Sequence, residues 1–309
     1  MSAVGQADQS RVQPGNAPAA TSAVLPTAGS HTPTLVDLHT HSRHSDGLQT
    51  PTALVEEAAG RGLRVLGLTD HDTVGGLAEA TVAAARCGIE VVPGVELSTG
   101  GLGSTPEIHL LGYFVDPTRP ALLAGLAVYA QDREERLERI VARLARLGLR
   151  IAAERVRDLA GPGTIGRPHV AQALVEAGYV ADRREAFDRY LADGRPGFVP
   201  RPKVEPAAAI ALIREAGGVP VLAHPFGSGE LESTLSRLVP AGLAGLEVHY
   251  GDYDEAARRL LADAAARWGL IATGGSDYHG PGVRAGRVLG QPPVPVAAVE
   301  RLRAAAAGL

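Results

Sequence analysis

The segment LVDLHTHSRHSDG at residues 35–47 joins a short apolar strand to a loop rich in histidine and acid. Alternate residues of an extended strand point to the same side, so His39 and His41 can reach one common site. Similar apolar runs recur along the chain as VLGLTD, EVVPGVEL, EIHLLGYFV, GVPVLAH, LAGLEVHY and LIATGGSD. These runs predict seven strands that alternate with helical stretches. The sequence therefore predicts an α/β fold with a parallel sheet, either doubly wound or closed as a barrel.

The composition of the 309 residues, 45% hydrophobic and 21% charged, is typical of a folded globular protein. The single cysteine, Cys87, excludes an internal disulfide and a CxxC metal site. No run reaches the roughly 18 apolar residues of a membrane span, and the N-terminus lacks signal-peptide features. We therefore expect a cytoplasmic protein without a membrane partner. The net charge of −4 argues against general nucleic-acid coating, and we expect no duplex DNA binding.

The chain divides into three parts by pattern. Residues 1–34 are polar, with few charges and no apolar period, and predict a disordered tail. Residues 35–118 and 204–309 carry the strands and predict the barrel. Residues 119–203 predict an all-helical insertion, or cap, after strand four. The apolar stripe of its first helix has helical spacing and comprises Leu137, Ile140, Val141, Leu144 and Leu147. This insertion holds 16 basic and 11 acidic residues, so the basic excess lies there.

Histidines and carboxylates fall at the ends of successive predicted strands. The set comprises Asp37, His39, His41, Asp70, His71, Asp72, Glu96, His109, His224, Glu247, His249, Asp277 and His279. In a parallel barrel the carboxyl ends of all strands open on one face, so these residues would converge there. Desolvated groups of like charge repel each other unless divalent cations hold them. Nitrogen and oxygen ligands without thiolate suit Mn²⁺, Fe²⁺ or Zn²⁺.

A single histidine at a strand end is more often a surface or core residue than a ligand. The recurrence of such residues on successive strands is what favours metal binding. His31 in the tail, His44 in the first loop, and Glu247 with His249 are left out of the ligand set. The charge-rich stretch at residues 132–146 is interpreted as a solvated helix face.

The ordered motifs VDLHTHSRHSDG, GLTDHD, PGVELS, EIHLLGY, LAHP and GGSDYHG resemble those of the PHP (polymerase and histidinol phosphatase) superfamily of metal-dependent phosphoesterases. The resemblance implies a distorted (β/α)7 barrel. The insertion, with IGRPHVAQAL and DGRPGFVP, is similar to the group that includes nucleoside 3′,5′-bisphosphate phosphatases and the ribonuclease AM type of 5′ to 3′ exonuclease.

The same resemblance implies three divalent metal ions, with Mn²⁺ as the leading choice. The first would be held by His39, His41, Glu96 and Asp277. Glu96 would bridge to a second ion held with His109 and His224, and the third would be held by Asp46, His71 and His279. Asp70 and Asp72 would orient His71 and its neighbours from behind.

Closely spaced metals lower the pKa of a bridging water, so a metal-bridging hydroxide is the expected nucleophile and no side-chain nucleophile is required. The phosphate oxygens also need cations, for which guanidinium groups are well shaped. The candidates for phosphate binding are Arg167, His169, Arg195, Arg201 and the only lysine, Lys203. His169 is also placed to protonate a leaving oxygen.

The sequence therefore predicts a metal-dependent phosphoesterase acting on small nucleotides, such as a 3′,5′-bisphosphate or 5′-phosphate, or on the 5′ end of short RNA. One alternative is a phosphatase of the same superfamily that uses histidinol phosphate. Another, from a different class, is a catalytically silent metal-binding module for interactions with other proteins.

Overall fold

The structure is a computed structural model that describes residues 35–102, 107–200, 204–283 and 286–308. The predicted disordered tail at residues 1–34 lies outside the described residues. The strands are β1 (Leu35–Thr40), β2 (Leu63–Leu68), β3 (Glu90–Gly100), β4 (Glu107–Tyr113), β5 (Val219–Leu222), β6 (Gly245–Tyr250) and β7 (Ile271–Gly275). They form a single sheet in the order of the sequence, from β1 to β7.

Helices cover most of the remaining described chain. They are α1 (Pro51–Gly60), α2 (Leu77–Cys87), α3 (Pro120–Arg146), α4 (Ala153–Ala160), α5 (Arg167–Glu176), α6 (Arg183–Ala186), α7 (Pro206–Glu215), α8 (Leu231–Leu238), α9 (Glu255–Arg267) and α10 (Val296–Ala307). A π-helical turn, Phe187–Leu191, follows α6, and a short 3-10 turn, Pro225–Gly227, follows β5. None of the described helices combines the length and apolar character needed to cross a bilayer.

The sheet is mixed, which corrects the expectation of an all-parallel sheet. β4 runs antiparallel to both β3 and β5, whereas the other neighbouring strands are parallel. The reason is the short connection between β3 and β4, because a parallel pair requires a crossover of a dozen residues or more. As a result, β4 begins at the rim where the parallel strands end.

The sheet nearly closes into a barrel at this rim, which confirms the predicted distorted α/β barrel. Asp277 N–H donates to the carbonyl of His39 at 2.8 Å, and His41 N–H donates to the carbonyl of Tyr278 at 2.9 Å. Gly275 permits this approach of β7 to β1, since a Cβ there would lie 2.4 Å from the His39 nitrogen. The chain segments carrying His39, His41 and Asp277 are thereby fixed beside each other.

The segment between β4 and α7 contains α3 to α6 and packs around an apolar cluster of its own. The buried members of this cluster include Leu137, Ile140, Leu144, Val156, Val170, Leu174 and Leu191. On α3 the predicted apolar stripe faces this cluster, apart from Leu147, which follows the helix and is 44% exposed. The boundaries at residues 119 and 203 stay predictions.

Candidate metal centre

The predicted ligands meet at the rim of the barrel because of the strand directions. The segments that carry His39, His71, His224 and Asp277 end β1 or follow the parallel strands β2, β5 and β7. His109 reaches the same rim from the start of β4, since that strand runs the opposite way. The change of strand direction therefore accounts for a histidine that lies inside a strand rather than after one.

Glu96 on β3 lies at the centre of the group, with only 1% of its surface exposed. Its Oε2 atom lies 3.2 Å from a ring nitrogen of each of three histidines, and its Oε1 atom lies 2.8 Å and 3.1 Å from two more. The first three are His39, His41 and His71, and the other two are His109 and His224. One carboxylate thus faces five imidazoles, an arrangement suited to bridging cations.

Two aspartates face ring nitrogens of the same group of histidines. Asp277 Oδ1 lies 3.5 Å from His39 Nε2 and 3.3 Å from His41 Nε2. Asp46 Oδ1 lies 3.1 Å from His279 Nε2 and 3.9 Å from His71 Nε2. The structure therefore brings together all nine residues predicted as ligands.

The described chain contains three groups of residues that could each hold a metal ion. Inside each group, the ligand atoms all lie within 4.8 Å of one another. The three groups are His39, His41 and Asp277; His71, Glu96 and His109; and His41, Asp46, His71 and His279. The groups differ from the predicted sets in that His41 and His71 each belong to two of them. His224 approaches Glu96 but falls outside the second group. The assignment of each ligand to one ion stays a prediction.

Three of the imidazoles are oriented through their second nitrogen. His39 Nδ1 donates to Glu247 at 2.8 Å, and His279 Nδ1 donates to the carbonyl of Asp277 at 2.9 Å. His109 Nε2 lies 3.2 Å from Glu107. In each ring the other nitrogen then faces the centre as a potential metal ligand, the usual arrangement for metal-bound histidine.

The sequence reasoning missed the role of Glu107. Glu107 lies two residues before His109 on β4, and this spacing places both side chains on one face of the strand. This alternation along the strand could have identified Glu107 from the sequence. Glu247 was paired with His249, but a register irregularity between these two residues breaks the regular alternation of β6. Glu247 is fully buried, and it also accepts the backbone N–H of His224 at 2.7 Å.

The electrostatics of the group keep its carboxylates ionised. Burial alone would raise the pKa of Glu96, but His71, His39 and His109 hold this pKa well below its usual range. Asp46 behaves likewise, because His279 and His71 outweigh its burial and hold its pKa low. Charged carboxylates facing imidazole nitrogens form the donor set that divalent ions require.

The histidines show the complementary shifts. Burial opposes protonation of His41, but Asp277 and Glu96 overcome it and raise its pKa to about 9. Glu96 and Glu107 likewise overcome the burial of His109 and raise its pKa to about 9. Burial has the larger effect on His71 and lowers its pKa well below the ordinary value. The site therefore attracts positive charge, whether as protons or as metal ions.

Several inward-facing atoms fit a bound metal better than a purely structural role. His41 Nε2, His71 Nδ1, His279 Nε2 and Asp46 Oδ1 are buried and make no hydrogen bond within the described chain. Leaving a buried polar atom unpaired costs about 1–3 kcal/mol. Four such atoms directed at one space, with nitrogen and oxygen donors and no thiolate, fit Mn²⁺, Fe²⁺ or Zn²⁺.

The backbone at the rim is strained at three positions. Asp72, His224 and Asp277 have φ values of 52°, 29° and 53°. Residues other than glycine rarely adopt this region, and each such residue costs on the order of 1–3 kcal/mol. The surrounding structure of the rim therefore stabilises three unfavourable backbone conformations, and these conformations set the directions of the three side chains.

The hydrogen bonds of Asp70 and Asp72 lead to the loop after β1, to Ser98 and to Arg133, and their role in orienting His71 and its neighbours stays a prediction. Asp70 accepts from Ser42 N–H at 2.7 Å and from the hydroxyls of Ser42 and Ser45. It therefore shapes the loop after β1. Asp72 accepts from Ser98 N–H at 2.7 Å and from Arg133 Nη2 at 2.6 Å. It thus connects the barrel to the insertion.

A cavity of about 140 Å³ opens beside the ligand group toward the insertion. Its lining includes Asp46, His71 and His109 from the barrel and Arg133 and Arg167 from the insertion. The interpretation of residues 132–146 as a solvated face is therefore wrong for Arg133, whose side chain is 8% exposed. Its guanidinium donates to Asp72 and to the carbonyl of Ile165, and helical spacing does not encode long-range contacts of this kind.

Arg167 lines this cavity as predicted for a phosphate-binding residue. Its Nη1 donates to Asp193 at 3.0 Å, and its Nη2 lies 3.8 Å from Glu107. The guanidinium carbon lies 5.5 Å from the centre of the Phe198 ring. These contacts hold a cation at the edge of the cavity and leave phosphate binding by Arg167 as a proposal.

The other predicted phosphate ligands are placed differently. The Nδ1 atom of His169 accepts the Gly166 N–H at 3.0 Å, so it caps α5, and burial lowers the pKa of this histidine. Arg195 is exposed and does not line the cavity beside the ligand group. Arg201 and Lys203 lie outside the described residues.

Comparison with known proteins places this geometry in a family. Residues 37–124 match the PHP domain model. The chain is 40% identical over 252 residues to the 3′,5′-nucleoside bisphosphate phosphatase of Chromobacterium violaceum, covering 80% of this chain and 88% of the relative. It is 37% identical over 257 residues to the 5′-3′ exoribonuclease Rnm of Escherichia coli, covering 80% and 86%.

A solved structure supports the same relationship. A protein from Bifidobacterium adolescentis, described as a candidate metal-dependent phosphoesterase, superposes with a TM-score of 0.80 at 32% identity. The match covers 88% of this chain and 96% of that chain. Sequence motifs, fold and the convergence of histidines and carboxylates at the barrel rim agree, and the chain belongs to the PHP family of metal-dependent phosphoesterases.

Proposed function

We propose that this protein is a hydrolase that releases phosphate from small nucleotides, with a nucleoside 3′,5′-bisphosphate as the leading substrate and the 5′ end of short RNA as the second. The observation that carries the proposal is the placement of nine nitrogen and oxygen donors beside a cavity lined by Arg133 and Arg167. The identity of about 40% to a bisphosphate phosphatase supports the choice of substrate.

The chain holds residues for three divalent ions, and Mn²⁺ is our leading choice among Mn²⁺, Fe²⁺ and Zn²⁺. His39, His41 and Asp277 would hold one ion together with Glu96, which would also serve a second ion held with His109 and His224. Asp46, His71 and His279 would hold a third. Such ions supply charge neutralisation for phosphate oxygens and an activated water as nucleophile. The described rim has no need of a serine or cysteine nucleophile for this chemistry.

The protein's own side chains prepare the site in two ways. Glu247 and Glu107 hold His39 and His109 with one nitrogen facing inward, so that the donors are in place before substrate arrives. Arg133 and Arg167 line the cavity beside these donors, and their positive charge would stabilise the phosphate oxygens of a bound substrate. The carboxylate of Asp72 fixes the position of Arg133.

A substrate panel tests this proposal. The protein is purified with Mn²⁺, and hydrolysis is compared for adenosine 3′,5′-bisphosphate, a 5′-mononucleotide, 5′-phosphorylated short RNA and histidinol phosphate. Inorganic phosphate is measured for all four, and the release of 5′-mononucleotide is measured for the RNA as well. We expect the bisphosphate or the RNA to give the highest kcat/KM. Preferred hydrolysis of histidinol phosphate would favour the alternative phosphatase, and negligible turnover of all four would favour the silent metal-binding module.

A single substitution tests the phosphate cavity independently of metal binding. Arg167→Ala is expected to lower kcat/KM by about 10-fold or more with unchanged metal content, because it removes a charge-assisted contact. Arg155→Ala is the matched control, since Arg155 pairs with Glu176 on the exposed surface of the insertion. Unchanged hydrolysis by Arg167→Ala would refute its assignment.

A further inference from the structure

The carboxylate of Asp277 is held from behind by a small cluster of side chains that the metal assignment does not use. Its Oδ1 atom faces His39 and His41, whereas its Oδ2 atom accepts a hydrogen bond from the Tyr250 hydroxyl at 2.8 Å. Tyr250 ends β6 and is buried, so water has little access to this bond. The two oxygens of one carboxylate therefore face different partners.

The Tyr250 ring is covered by the guanidinium group of Arg287, which comes from the segment after β7. The guanidinium carbon lies 4.2 Å from the centre of the ring. A cation is attracted to the face of an aromatic ring, and more strongly when both groups are withdrawn from water. Only 3% of the Arg287 side chain is exposed, so this contact restricts the ring that carries the donating hydroxyl.

Arg287 is itself fixed by contacts on both sides of the ring. Its Nη1 donates to the carbonyl of Ser276 at 2.6 Å, and Ser276 directly precedes Asp277 in the chain. Its Nη2 donates to Asp252 at 2.6 Å and lies 3.8 Å from Asp277 Oδ2. One guanidinium therefore contacts the ring that donates to Asp277, the peptide before Asp277 and the surroundings of its outer oxygen.

The sequence Tyr250-Gly251-Asp252 at the end of β6 is suited to this guanidinium. The first residue supplies the ring and the third supplies the carboxylate. Between them, Gly251 leaves the space for Arg287, since a Cβ there would lie 2.5 Å from Arg287 Nη1. Three consecutive residues of the barrel thus accommodate one arginine side chain.

The direction of the Asp277 carboxylate matters for metal binding. A carboxylate with two free oxygens can rotate and bind an ion through either of them or through both. Hydrogen bonds to the outer atoms of a ligand restrict this freedom, and loss of such a partner typically costs about 10–100-fold in metal affinity or activity. With Oδ2 engaged by Tyr250 and close to Arg287, Oδ1 is left to face His39 and His41.

From this arrangement we infer that Arg287, acting through Tyr250, is a positioning residue that leaves Oδ1 as the oxygen that Asp277 offers to a metal ion. The inference rests on the proposed function, which requires an ion at Asp277, and deepens it by adding two residues that control this ion without touching it.

The test is a metal titration without substrate. Full-length protein is treated with chelator and titrated with Mn²⁺, and the free ion is measured by its electron paramagnetic resonance signal. Tyr250→Phe keeps the ring under Arg287 and removes only the hydroxyl. We expect the affinity for one bound ion to fall by about 10-fold or more, with the other affinities within about twofold of the wild type.

The same titration tests Arg287 directly. Arg287→Gln removes the cation from the ring, and we expect the same selective loss as in Tyr250→Phe. Arg287→Lys keeps a positive charge near the ring without the planar fork, so its affinity is expected to lie between those of the wild type and Arg287→Gln. A residue that only stabilised the fold would change the melting temperature of the metal-free protein without this graded, ion-selective effect.

Two matched controls lie away from the rim. Tyr179→Phe removes a hydroxyl that accepts the Arg150 N–H on the insertion. Arg303→Gln removes a guanidinium that lies 5.7 Å from the centre of the Phe114 ring and pairs with Glu90. Both variants are expected to bind every ion with the wild-type affinity.

The inference is overturned if Tyr250→Phe or Arg287→Gln binds every ion as tightly as the wild type, or if either weakens all ions equally. Should Arg287→Gln fail to fold, Gly251→Ala takes its place, because the added methyl group would displace the guanidinium from the ring. The same selective loss is expected for that variant.

These outcomes separate the inference from the proposed function. A wild-type protein that binds Mn²⁺ but hydrolyses no substrate of the panel refutes the proposed function, and the titration still decides the role of Arg287. Unchanged affinities in the variants of an active protein refute the role of Arg287 alone. A wild-type protein that binds no Mn²⁺ refutes both.

Discussion

The barrel rim and the helical insertion build their parts of the site by different means. At the rim, neighbouring strands carry the donors, and main-chain hydrogen bonds such as Asp277 N–H to His39 set their spacing. In the insertion, long arginine side chains reach the site and depend on individual contacts, as Arg133 depends on Asp72. The comparison shows that sheet register fixes the metal ligands, whereas side-chain pairing fixes the phosphate-binding groups.

Polar contacts close to the chemistry join the two regions, in addition to the apolar packing of α3 against the barrel core. Thr164 of the insertion donates its N–H to the carbonyl of His44 and its hydroxyl to the carbonyl of His71, both at 2.8 Å. Arg133 also donates to the carbonyl of Ile165 at 2.6 Å, so the same guanidinium ties Asp72 to the insertion loop. Four substitutions therefore probe the regions separately, from the largest expected effect to the smallest.

The largest effect is expected for Glu96→Gln at the centre of the rim. The amide removes the charge that faces five imidazoles, so we expect loss of bound metal and a fall in kcat/KM of more than about 100-fold, beyond the ~10–100-fold typical of losing an outer partner of a ligand. Metal content by mass spectrometry and phosphate release measure the result. Glu90→Gln on the same strand is the control, because Glu90 pairs with Arg303 away from the rim. Full metal content in Glu96→Gln would contradict the assignment of Glu96 as a ligand.

A smaller effect is expected for Glu247→Gln, which leaves every direct ligand in place. The substitution weakens the hydrogen bond that orients His39, and we expect metal affinity or activity to fall by about 10–100-fold. Titration of metal into the chelator-treated protein measures the change. Equal metal affinity and activity in the wild type and Glu247→Gln would show that the main chain alone orients His39.

Arg133→Gln tests the insertion side of the comparison. We expect retained metal, a rise in KM of about 10-fold, and destabilisation by about 3 kcal/mol, because the carboxylate of Asp72 loses its buried partner. Denaturant unfolding and steady-state kinetics provide the two measurements. Arg139→Gln on the exposed face of the same helix is the control. If metal content fell while KM rose, the two regions would not be separable as described.

The smallest effect concerns His169, which caps α5 through Nδ1. Burial lowers its pKa, so its contribution to the free energy of unfolding is complete above the ordinary value of 6.5 and is lost as the pH falls through the lower folded value. The cap contributes about 1 kcal/mol. As the pH falls below 6.5, the free energy of unfolding of the wild type should therefore decrease more than that of His169→Gln. Parallel pH profiles of the two proteins would exclude this role for the capping histidine.

The fold and the ligand group were largely predictable because strand ends and histidine positions are local features of the sequence. The spacing of His39 and His41 needs no knowledge of the rest of the chain. The direction of β4 was missed, although its short connection to β3 limits the choice to an antiparallel pair. The position of His109 in the sequence was enough to place it at the rim, although the direction of β4 was predicted wrongly.

The supporting residues were harder to predict because their partners are distant in sequence. Arg133 meets Asp72 across 61 positions, and Glu247 meets His39 across 208. The amphipathic spacing of α3 distinguishes its apolar stripe from the remaining faces, but it does not indicate which charged residue another element will cover. Contacts of this kind depend on the completed tertiary arrangement.

Gly163 shows how closely the insertion is fitted to the loop after β1. A Cβ at this position would lie 2.5 Å from the carbonyl oxygen of Arg43, so peptide rests directly on peptide with no side chain between. Such a contact has almost no tolerance for displacement. The outer helices of the insertion can change without disturbing this contact. A change at Gly163 or in the loop after β1, by contrast, requires a compensating change in the other.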